Sequence, residues 1–214
     1  MEFRAARVGD APALAELIHM ADLAHYQSSG FAVSIGGTRG HQLGELAKLA
    51  RAQARSQFHY SHFDVAVDQG MIVASVAGFD RMLTDEQMNP ALVEIGWSSK
   101  AIEGLIERIG PIAECSPVDA PGAWTIDHVA TLPQYRGQGL AGRLLGRALE
   151  RGAAQGYERA VVDVFAGNSK ARAIYVRAGF QPACTYGHEL LRRILNRDPL
   201  ERLVRVRLGL HSTI

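Results

Sequence analysis

A glycine-rich turn between a predicted strand and a predicted helix is the feature that most constrains the fold of this 214-residue chain. The turn spans residues 133–141; it follows a strand-like run, 124–132, and opens a pattern of apolar residues at helical spacing. Glycines at the start of a helix let the backbone approach a ligand closely, and the N–H groups there favour an anion such as a phosphate or pyrophosphate. Arg136 lies inside the turn, where its charge can pair with the same anion.

The turn matches neither of the common nucleotide-binding loops in full. Gly137, Gly139 and Gly142 have the spacing of the dinucleotide-binding fingerprint, which is weak evidence by itself. That fingerprint also needs an acidic residue at the tip of a second parallel strand about 20 positions on, whereas Asp163 lies inside a strand-like run. The residues alone therefore predict an anion site and leave several nucleotides open as its ligand.

The other patterns predict an α/β (α+β) fold with a mixed, largely antiparallel sheet of about seven strands and helices on both faces. Apolar runs at 63–67 and 71–79 flank Asp68-Gln69-Gly70, which indicates a hairpin. Helices are expected from residue 10 to about 25, 43 to about 57, 91 to 109 with a stop at 110–111, 140 to 156, and 168 to 179. Residues 27–40 and 81–89 are expected to be irregular. Residues 203–208 alternate like a half-exposed strand at a sheet edge or across a dimer.

Composition and charge exclude several classes of protein. The net charge of +1 gives no general case for nucleic acid or a membrane surface as a partner, and no run of 18 apolar residues predicts a spanning helix. Glu2 and Arg4 interrupt the first positions, so we expect no signal peptide. Cys115 and Cys184 are far apart and are interpreted as free thiols in a reducing cytoplasm. The eight histidines are scattered singly, so no metal site is predicted.

Basic residues are concentrated around the predicted anion site. Between residues 136 and 177 there are eight Lys or Arg residues against three acids, in a chain whose net charge is only +1. Arg143 and residues 170–172 are the best placed in sequence to reach phosphates. Binding of the anion is therefore expected to be sensitive to salt.

Two motifs in this half of the chain resemble those of the GNAT acetyltransferases. Residues 129–141 carry Gln134, Gly137 and Gly139 at the spacing of the family's acyl-CoA-binding motif, Gln/Arg-x-x-Gly-x-Gly/Ala. Residues 168–180 resemble the second signature of the family, from Asn168 through Tyr175 to a Gly-Phe pair. The two motifs occur in order, separated by one helix and one strand, which makes the resemblance specific. It is close over residues 124–180 and generic in the N-terminal half.

The resemblance implies acetyl-CoA as co-substrate, held largely by the backbone of the first motif. The strand before the turn would splay from its neighbour and bond the pantetheine arm, and the amides of the turn would hold the pyrophosphate. The cofactor-binding residues implied in this way are Val129, Ala130, Thr131, Arg136, Gly137, Gln138, Gly139, Leu140, Ala141, Asn168, Lys170 and Arg172.

The resemblance also implies that Tyr175 is the general acid that protonates the CoA thiolate. A phenol with an unperturbed pKa of about 10 is protonated at neutral pH and can donate to a thiolate. The general base is left open between Asp127, Asp163 and His128, with a water chain as a further route. Asp127 nominally shares a strand face with Val129, unless a bulge of the kind common in this strand of the family breaks the alternation.

The function implied is an acetyl-CoA-dependent N-acetyltransferase, an acyltransferase of the EC 2.3.1 class, acting on a primary amine of a small molecule or peptide. Transfer of another acyl group, a hydroxyl acceptor and a non-catalytic acyl-CoA-binding regulatory module are the alternatives. One domain is expected over residues 1–214: N-terminal strands, helices and acceptor-side loops in 1–121, the acetyl-CoA-binding core in 122–186, and a C-terminal strand in 187–214. The protein is expected to be cytoplasmic, and a homodimer stays open.

Overall fold

The computed structural model describes residues 1–24, 26–27, 29–113, 120–186, 189, 192–193 and 196–208. Within this part of the chain the backbone forms one seven-stranded sheet and the helices that flank it. The strands are β1 (Glu2–Ala5), β2 (Phe63–Asp68), β3 (Met71–Asp80), β4 (Ala123–Thr131), β5 (Arg159–Phe165), β6 (Gln181–Tyr186) and β7 (Leu200–Val206). The α-helices are α1 (Ala11–Leu23), α2 (Phe31–Ser34), α3 (Arg39–Leu49), α4 (Arg81–Glu86), α5 (Met88–Glu94), α6 (Ser99–Ala113), α7 (Leu140–Ala154) and α8 (Ser169–Arg177).

The sheet is antiparallel except at one pair of strands. Its order is β1-β2-β3-β4-β5-β7-β6, and among these neighbours only β4 and β5 run parallel. The side chains of β2 alternate between two hydrophobic clusters, with Val65 and Val67 in one and Ala66 in the other. Helices α1, α3, α5 and α6 contribute to the first cluster, and α7 and α8 contribute to the second. The predicted mixed sheet with helices on both faces is confirmed, as is the β2–β3 hairpin.

Strand β4 has two irregularities that shape the centre of the molecule. Its parallel pairing with β5 ends at Thr125 and Val161, although both strands continue, so the two strands diverge beyond that point. On its other side, β4 pairs with β3 through a bulge in which residues 128–129 oppose the single residue Val76. His128 has a φ of 48°, a left-handed conformation that a bulge accommodates. The bulge considered from the sequence is therefore present.

Helix α7 is fixed against the sheet by Trp124 of β4. The indole Nε1 donates a hydrogen bond of 2.9 Å to the carbonyl oxygen of Ala148, and the ring packs between glycines of two elements. A Cβ at Gly78 would lie 2.6 Å from the indole nitrogen, and a Cβ at Gly152 would lie 2.7 Å from Cδ1. The close approach of helix and sheet therefore depends on these two glycines, and it holds the C-terminal half of α7 against the start of β4.

The N-terminal half contains more helix than the sequence pattern predicts. Residues 27–40, expected to be irregular, contain α2 and the start of α3, because Phe31 is buried and Thr38 caps α3 by accepting a hydrogen bond from the N–H of His41. Residues 81–89, also expected to be irregular, contain α4, which Asp80 caps by accepting from the N–H of Leu83. Capping and burial therefore stabilise helices whose exposed faces are too polar to show an apolar stripe.

Three predicted helices have different ends. The helix expected to reach residue 57 stops at Leu49, because the Glu94 carboxylate accepts the N–H groups of Gln53 and Ala54 that a longer helix would use. The single helix expected over 91–109 is divided at Gly96, whose φ is 99°, into α5 and α6, and α6 continues past residues 110–111 to Ala113. The first helix ends at Leu23, and residue 25 lies outside the described residues.

The expected edge strand at residues 203–208 is also corrected. Strand β7 lies between β5 and β6 and is paired on both sides, and the edge is formed by β6, which is largely exposed and contains Pro182. Alternation of polar and apolar residues reports the two faces of a strand and not its two edges, so the sequence could not distinguish these positions. Cys184 of β6 is a free, exposed thiol, and Cys115 lies outside the described residues.

Substitution of Gly152 by alanine tests the contact between α7 and Trp124. Because the added Cβ would overlap the indole ring, we expect the free energy of unfolding to fall by about 1–3 kcal/mol. The matched control is Gly146→Ala in the same helix, where nothing lies within 4 Å of the added Cβ, and where alanine should raise stability by up to about 1 kcal/mol. Urea unfolding measures both; equal stability of the two variants would contradict the proposed packing.

Candidate active site

A cavity of about 1960 Å³ opens where β4 and β5 diverge. Its walls come from residues 126–131 of β4 and 162–165 of β5, from the turn that precedes α7, and from α8. Residues of α1, α2, α5 and α6 line it further out. Because β4 and β5 are not hydrogen-bonded to each other here, the backbone N–H and C=O groups on their facing edges are available to a ligand in the cavity.

The glycine-rich turn lies at one end of this cavity. Gly137 and Gly139 have φ values of 80° and 74°, and Gly139 is the N-cap residue of α7. A left-handed conformation at both positions explains why the turn contains glycines, since a side chain there would be strained. In the described residues, the N–H groups of Gly137, Gln138 and Gly139 have no protein acceptor, and the first turn of α7 adds further free donors. The chemistry of this donor set suits a pyrophosphate.

Asp127 lies on β4 just before the bulge, and its side chain is 35% exposed on the cavity wall. Oδ2 accepts a hydrogen bond of 3.1 Å from Nη2 of Arg81, and Oδ1 accepts one of 2.7 Å from the N–H of His128. Burial raises the pKa of Asp127, but electrostatic interactions with His128 and Arg81 and the two hydrogen bonds outweigh it, so the pKa lies below its usual range. Asp127 is therefore a carboxylate at neutral pH.

The imidazole of His128 is packed among aromatic rings. It stacks on Phe63 at 5.9 Å and lies 5.4 Å from the ring of Phe58. Nδ1 is 3.7 Å from Oδ1 of Asp127, and Nε2 is buried without a hydrogen-bond partner among the described residues. His128 thus adds to the electrostatic environment of Asp127, but its own ring nitrogen faces apolar surroundings.

Tyr175 is supplied by α8 and is almost fully buried in the second hydrophobic cluster, with its ring against Phe180. The residue lines the cavity from the side of α8. Burial, and then the negative charge of Asp127, raise the pKa of Tyr175 well above the ordinary value of a phenol. The phenol is therefore protonated across the physiological range, and the effect of Asp127 on it indicates that the two groups lie close together.

Asp163 lines the same cavity from β5 but has a different environment. Both of its carboxylate oxygens accept hydrogen bonds of 2.8 Å from the guanidinium of Arg202, which is itself buried. A bidentate pair of this geometry holds the carboxylate firmly and occupies both oxygens. Of the two acidic candidates for the base, Asp127 is thus the more exposed to the cavity, at 35% against 20%.

The second motif contributes both a helix cap and cavity-lining residues. Asn168 caps α8, because its Oδ1 accepts the N–H of Ala171 at 3.2 Å. The predicted cofactor-binding residues that line the cavity are Val129, Ala130, Thr131, Arg136, Gly137, Gly139, Leu140, Ala141, Asn168 and Lys170.

Two of the predicted cofactor residues, Gln138 and Arg172, lie outside that lining, and Arg172 instead binds Glu201 at 2.7 and 3.1 Å. Arg143, also considered from its position, stacks over the ring of Phe3 at 3.9 Å. Excess basic charge in the sequence therefore overstates the number of cations directed at the cavity.

Sequence reasoning missed several residues of the outer part of the cavity. Arg81 was placed in an acceptor-side segment without a partner, and Phe58 and Met88 were given no role. Arg81 follows the end of β3, and Asp127 pairs with Ala77 of β3 just before the bulge, so their contact depends on strand register. A sequence pattern carries no signal for such a pairing, because the two residues are far apart in the chain and their register is set by the packing of the sheet.

The ion pair of Asp127 makes a testable contribution to stability. A pKa lowered in the folded state means that the carboxylate stabilises the fold above the pKa of the unfolded state, and that this contribution is lost as the pH falls through the folded-state pKa. The free energy of unfolding of the wild type should fall between about pH 5 and about pH 2, and we expect this fall to be smaller in Asp127→Asn. Denaturant unfolding at a series of pH values measures this, with Glu103→Gln on the exposed face of α6 as the control. Identical pH profiles of wild type and Asp127→Asn would contradict the assignment.

Searches for metal and membrane features gave no candidates in the described part of the chain. No group of three or more His, Cys, Asp or Glu side chains there could hold a metal ion. Among the helices that the structure describes, none is both long and apolar enough to cross a bilayer.

Comparison with known structures identifies the same overall fold in acetyltransferases. An N-acetyltransferase from Staphylococcus aureus Mu50 superposes with a TM-score of 0.73 at 16% identity, over 96% of this chain and 100% of that chain. The yncA protein of Salmonella typhimurium, solved with its cofactor acetyl-CoA, gives 0.55 at 15% identity, over 100% and 97%. A polyamine N-acetyltransferase of Drosophila melanogaster gives 0.57 at 17% identity, over 96% and 99%. At these identities the likeness establishes the fold alone.

Comparison of the sequence with family models establishes more. No curated protein sequence gives a significant match. The model of the acetyltransferase (GNAT) family, however, matches residues 45–180, which is more than half of the chain and includes both motifs and the turn between β4 and α7. The chain therefore belongs to the GNAT family of acetyltransferases.

Proposed function

We propose that the protein is an acetyl-CoA-dependent N-acetyltransferase that transfers the acetyl group directly to a primary amine of a small molecule or peptide. The observation that carries the proposal is the cavity between β4 and β5, which is lined by a phenol, a carboxylate and a backbone anion cradle. The family and the N-acetyltransferases among the structural neighbours support the same reaction.

Acetyl-CoA would supply the acetyl group as a thioester, whose sulfur is the leaving group. The N–H groups of residues 137–141 would hold its pyrophosphate, with Arg136 and Lys170 near the phosphates. The unpaired edge of β4 at residues 129–131 would bond the pantetheine arm, and the amide nitrogen of Asn168 is available to it because only Oδ1 is used in the cap. These residues thus fit the cofactor of the family.

Asp127 and Tyr175 have complementary acid–base roles in this proposal. The Asp127 carboxylate would attract the substrate ammonium, which loses a first proton to solvent so that the nitrogen lone pair can attack the thioester carbon. Asp127 would accept the second proton from the nitrogen as the N–C bond forms and, because its pKa is low, pass it on to solvent. Tyr175 would hydrogen-bond the sulfur as the C–S bond breaks and donate a proton to it, and its raised pKa keeps the phenol in the donor state. Two protons leave the nitrogen and one reaches the sulfur, so each turnover releases one proton to solvent once Asp127 and Tyr175 have returned to their starting states.

We assign Asp163 a positioning role in preference to that of the base. Its bidentate pair with the buried Arg202 joins β5 to β7, and protonating it would weaken that pair. His128 is less suited to accept the proton, because its buried Nε2 lies among aromatic rings. Asp127 is also paired with an arginine, but its contact with Arg81 is a single hydrogen bond to a partly exposed guanidinium, and its own side chain is more exposed than that of Asp163.

The proposed site also supports one acyltransferase domain over residues 1–214. Met88 from the N-terminal part (1–121), Tyr175 from the core (122–186) and Leu200 from the C-terminal part (187–214) line the same cavity. A site built from all three parts works only if they fold together.

Replacement of Tyr175 by phenylalanine tests the catalytic role of the phenol. The ring and its packing on Phe180 are kept, so we expect acetyl-CoA affinity to change less than about twofold while kcat falls by about 10²–10⁴. Release of free thiol from acetyl-CoA, measured against a panel of amines, gives kcat, and calorimetry gives the affinity. Tyr135→Phe is the matched control, because that phenol also lines the cavity but donates to Asp68 at 3.1 Å.

The same experiment separates the alternatives. A non-catalytic acyl-CoA-binding module would bind acetyl-CoA in calorimetry, would release no thiol with any amine or alcohol, and would show no effect of Tyr175→Phe. Transfer of a longer acyl group, or to a hydroxyl, would appear as thiol release with that substrate in preference to acetyl-CoA and an amine. Failure to bind acetyl-CoA at all would overturn the proposal.

Lys170 and Arg172, two basic residues near the start of α8, provide a matched test of cofactor binding. Lys170 is exposed and lines the cavity, whereas Arg172 is paired with Glu201. We expect Lys170→Gln to weaken acetyl-CoA binding about threefold to tenfold at low salt. The salt dependence of the affinity should also become smaller, because salt screens the attraction between the exposed Lys170 ammonium and the phosphates, and the variant lacks that attraction. Arg172→Gln should leave the affinity within about twofold. Calorimetry at two ionic strengths measures both; an equal effect of the two substitutions would contradict the assignment.

A further inference from the structure

Five large apolar side chains line the cavity on the side of the first hydrophobic cluster. They are Met20, Phe31, Phe58, Met88 and Ile109, and we call these five residues the acceptor vestibule. Polar residues, among them Gln57, Arg81 and Asp85, also line the cavity, and Sδ of Met20 lies 4.0 Å from Nη2 of Arg136 in the glycine-rich turn. All five belong to the first hydrophobic cluster or pack against it, whereas Tyr175 belongs to the second cluster, on the opposite face of the sheet. The cavity thus runs past β4 from the side of α7 and α8 to the side of α1, α5 and α6.

Aromatic rings connect the vestibule to the proposed reaction site. Phe31 packs edge-on against Phe58 at 5.8 Å, and Phe58 lies 5.4 Å from the ring of His128. His128 is the neighbour of Asp127, whose carboxylate faces the cavity. An amine held at Asp127 would therefore have apolar surface beside it in the direction of Phe58.

Among the described residues, three carboxylates line this part of the cavity, and those of Asp127 and Asp22 are held by contacts within the protein. Asp127 is paired with Arg81 at 3.1 Å. Asp22 lies 3.6 Å from the guanidinium of Arg197 and also accepts hydrogen bonds of 2.6 Å from Ser29 Oγ and from the N–H of Gly30. The third, Asp85 of α4, is exposed to solvent. A second ammonium group of a substrate that lay within the cavity at Asp22 would displace the contacts of that carboxylate.

We propose that the acceptor is a primary amine with one cationic nitrogen and an extended alkyl or aryl body, which lies in the acceptor vestibule with its nitrogen at Asp127. The inference rests on the proposed function, since it names the substrate class of that same site. The body is stabilised by removal of apolar surface from water, and the single charge by Asp127. Polyamines and amino acids, which carry a second charge, are excluded as preferred acceptors.

The alternative occupant of the vestibule is a long acyl chain on the donor. The glycine-rich turn leads into α7, and Tyr175 belongs to α8, on the face of the sheet covered by the second hydrophobic cluster. The vestibule lies on the opposite face, with the first cluster. This arrangement favours the acceptor amine over the acyl chain as the occupant of the vestibule. An acyl chain that reached the vestibule would have to pass the position at which the amine must attack. The experiment distinguishes the two occupants by lengthening the acceptor and the donor separately.

A series of linear amines from propylamine to hexylamine, with acetyl-CoA as donor, is the main test. We expect kcat/KM to rise about fourfold per added methylene, from a transfer free energy of about 0.8 kcal/mol per CH₂, until the vestibule is filled. At equal length, 1,6-diaminohexane and 6-aminohexanoate should each react at least about tenfold more slowly than hexylamine, because each adds a charge. A flat series, or a preference for either charged analogue or for a peptide amine, would overturn the inference, as would a rise with acyl-CoA length instead of amine length.

Two methionine substitutions locate the effect in the vestibule. Met88→Gln places a polar group in the wall, and we expect the ratio of hexylamine to propylamine kcat/KM to fall at least about fivefold. Met82→Gln is the control, because Met82 is an exposed residue of the neighbouring helix that does not line the cavity. The ratio between two substrates is independent of the fraction of folded enzyme, so a small loss of stability does not obscure it. Equal ratios in both variants would contradict the assignment.

Binding measurements keep this inference separate from the proposed reaction. Calorimetric titration of hexylamine and 1,6-diaminohexane into the protein reports occupation of the vestibule even if no acetyl group is transferred. Preferential binding of hexylamine without any transfer would support the vestibule and overturn the proposed function. Acetyl transfer to amines without a hexylamine preference in either measurement would overturn the inference and leave the reaction in place.

Discussion

The early end of the pairing between β4 and β5 is the constraint on which the rest of the site depends. Two parallel strands that diverge after three residue pairs leave a row of backbone donors and acceptors without partners inside the molecule. A ligand can supply those partners, and no strand in the part of the chain that the structure describes fills the gap. The glycine turn lies at the end of β4, Asp127 lies along it, and Tyr175 enters from α8, so the divergence brings donor site and acid–base groups to one cavity.

Arginine pairing determines which charges remain available for chemistry. Asp64 is buried between Arg147 and Arg151, Asp163 is held by Arg202, and Arg172 is held by Glu201, so these groups join elements of the scaffold. Asp127 is paired as well, but it lies on an exposed wall beside a buried phenol. The proposed acid and base therefore follow from exposure and neighbours, since the residue types themselves occur at many positions. The proposed preference of the acceptor vestibule for a single cation rests on the same kind of pairing, because Asp22 is already held by Arg197.

The sequence predicted the second half of the chain better than the first, for a physical reason. From β4 to α8, each element is specified by local signals: apolar periodicity, two glycines in left-handed conformations, and an asparagine cap. In the N-terminal half, α2 and α4 are short helices stabilised by caps and by burial, and α3 is stopped by the carboxylate of Glu94 from another helix. Such long-range contacts leave no periodic pattern in the chain.

The sequence by itself determined the two family motifs, the anion-binding turn and the mixed sheet. It also identified Asn168 and Tyr175 as residues of one signature. These features depend on residue types at fixed local spacing. Only the tertiary structure decided the rest. It paired Asp163 with Arg202 and Asp127 with Arg81, turned Arg143 onto Phe3, and assembled the vestibule from four helices and an irregular segment. Those contacts join residues far apart in the chain, and the strand register and bulge that bring them together are set by the packing of the whole sheet.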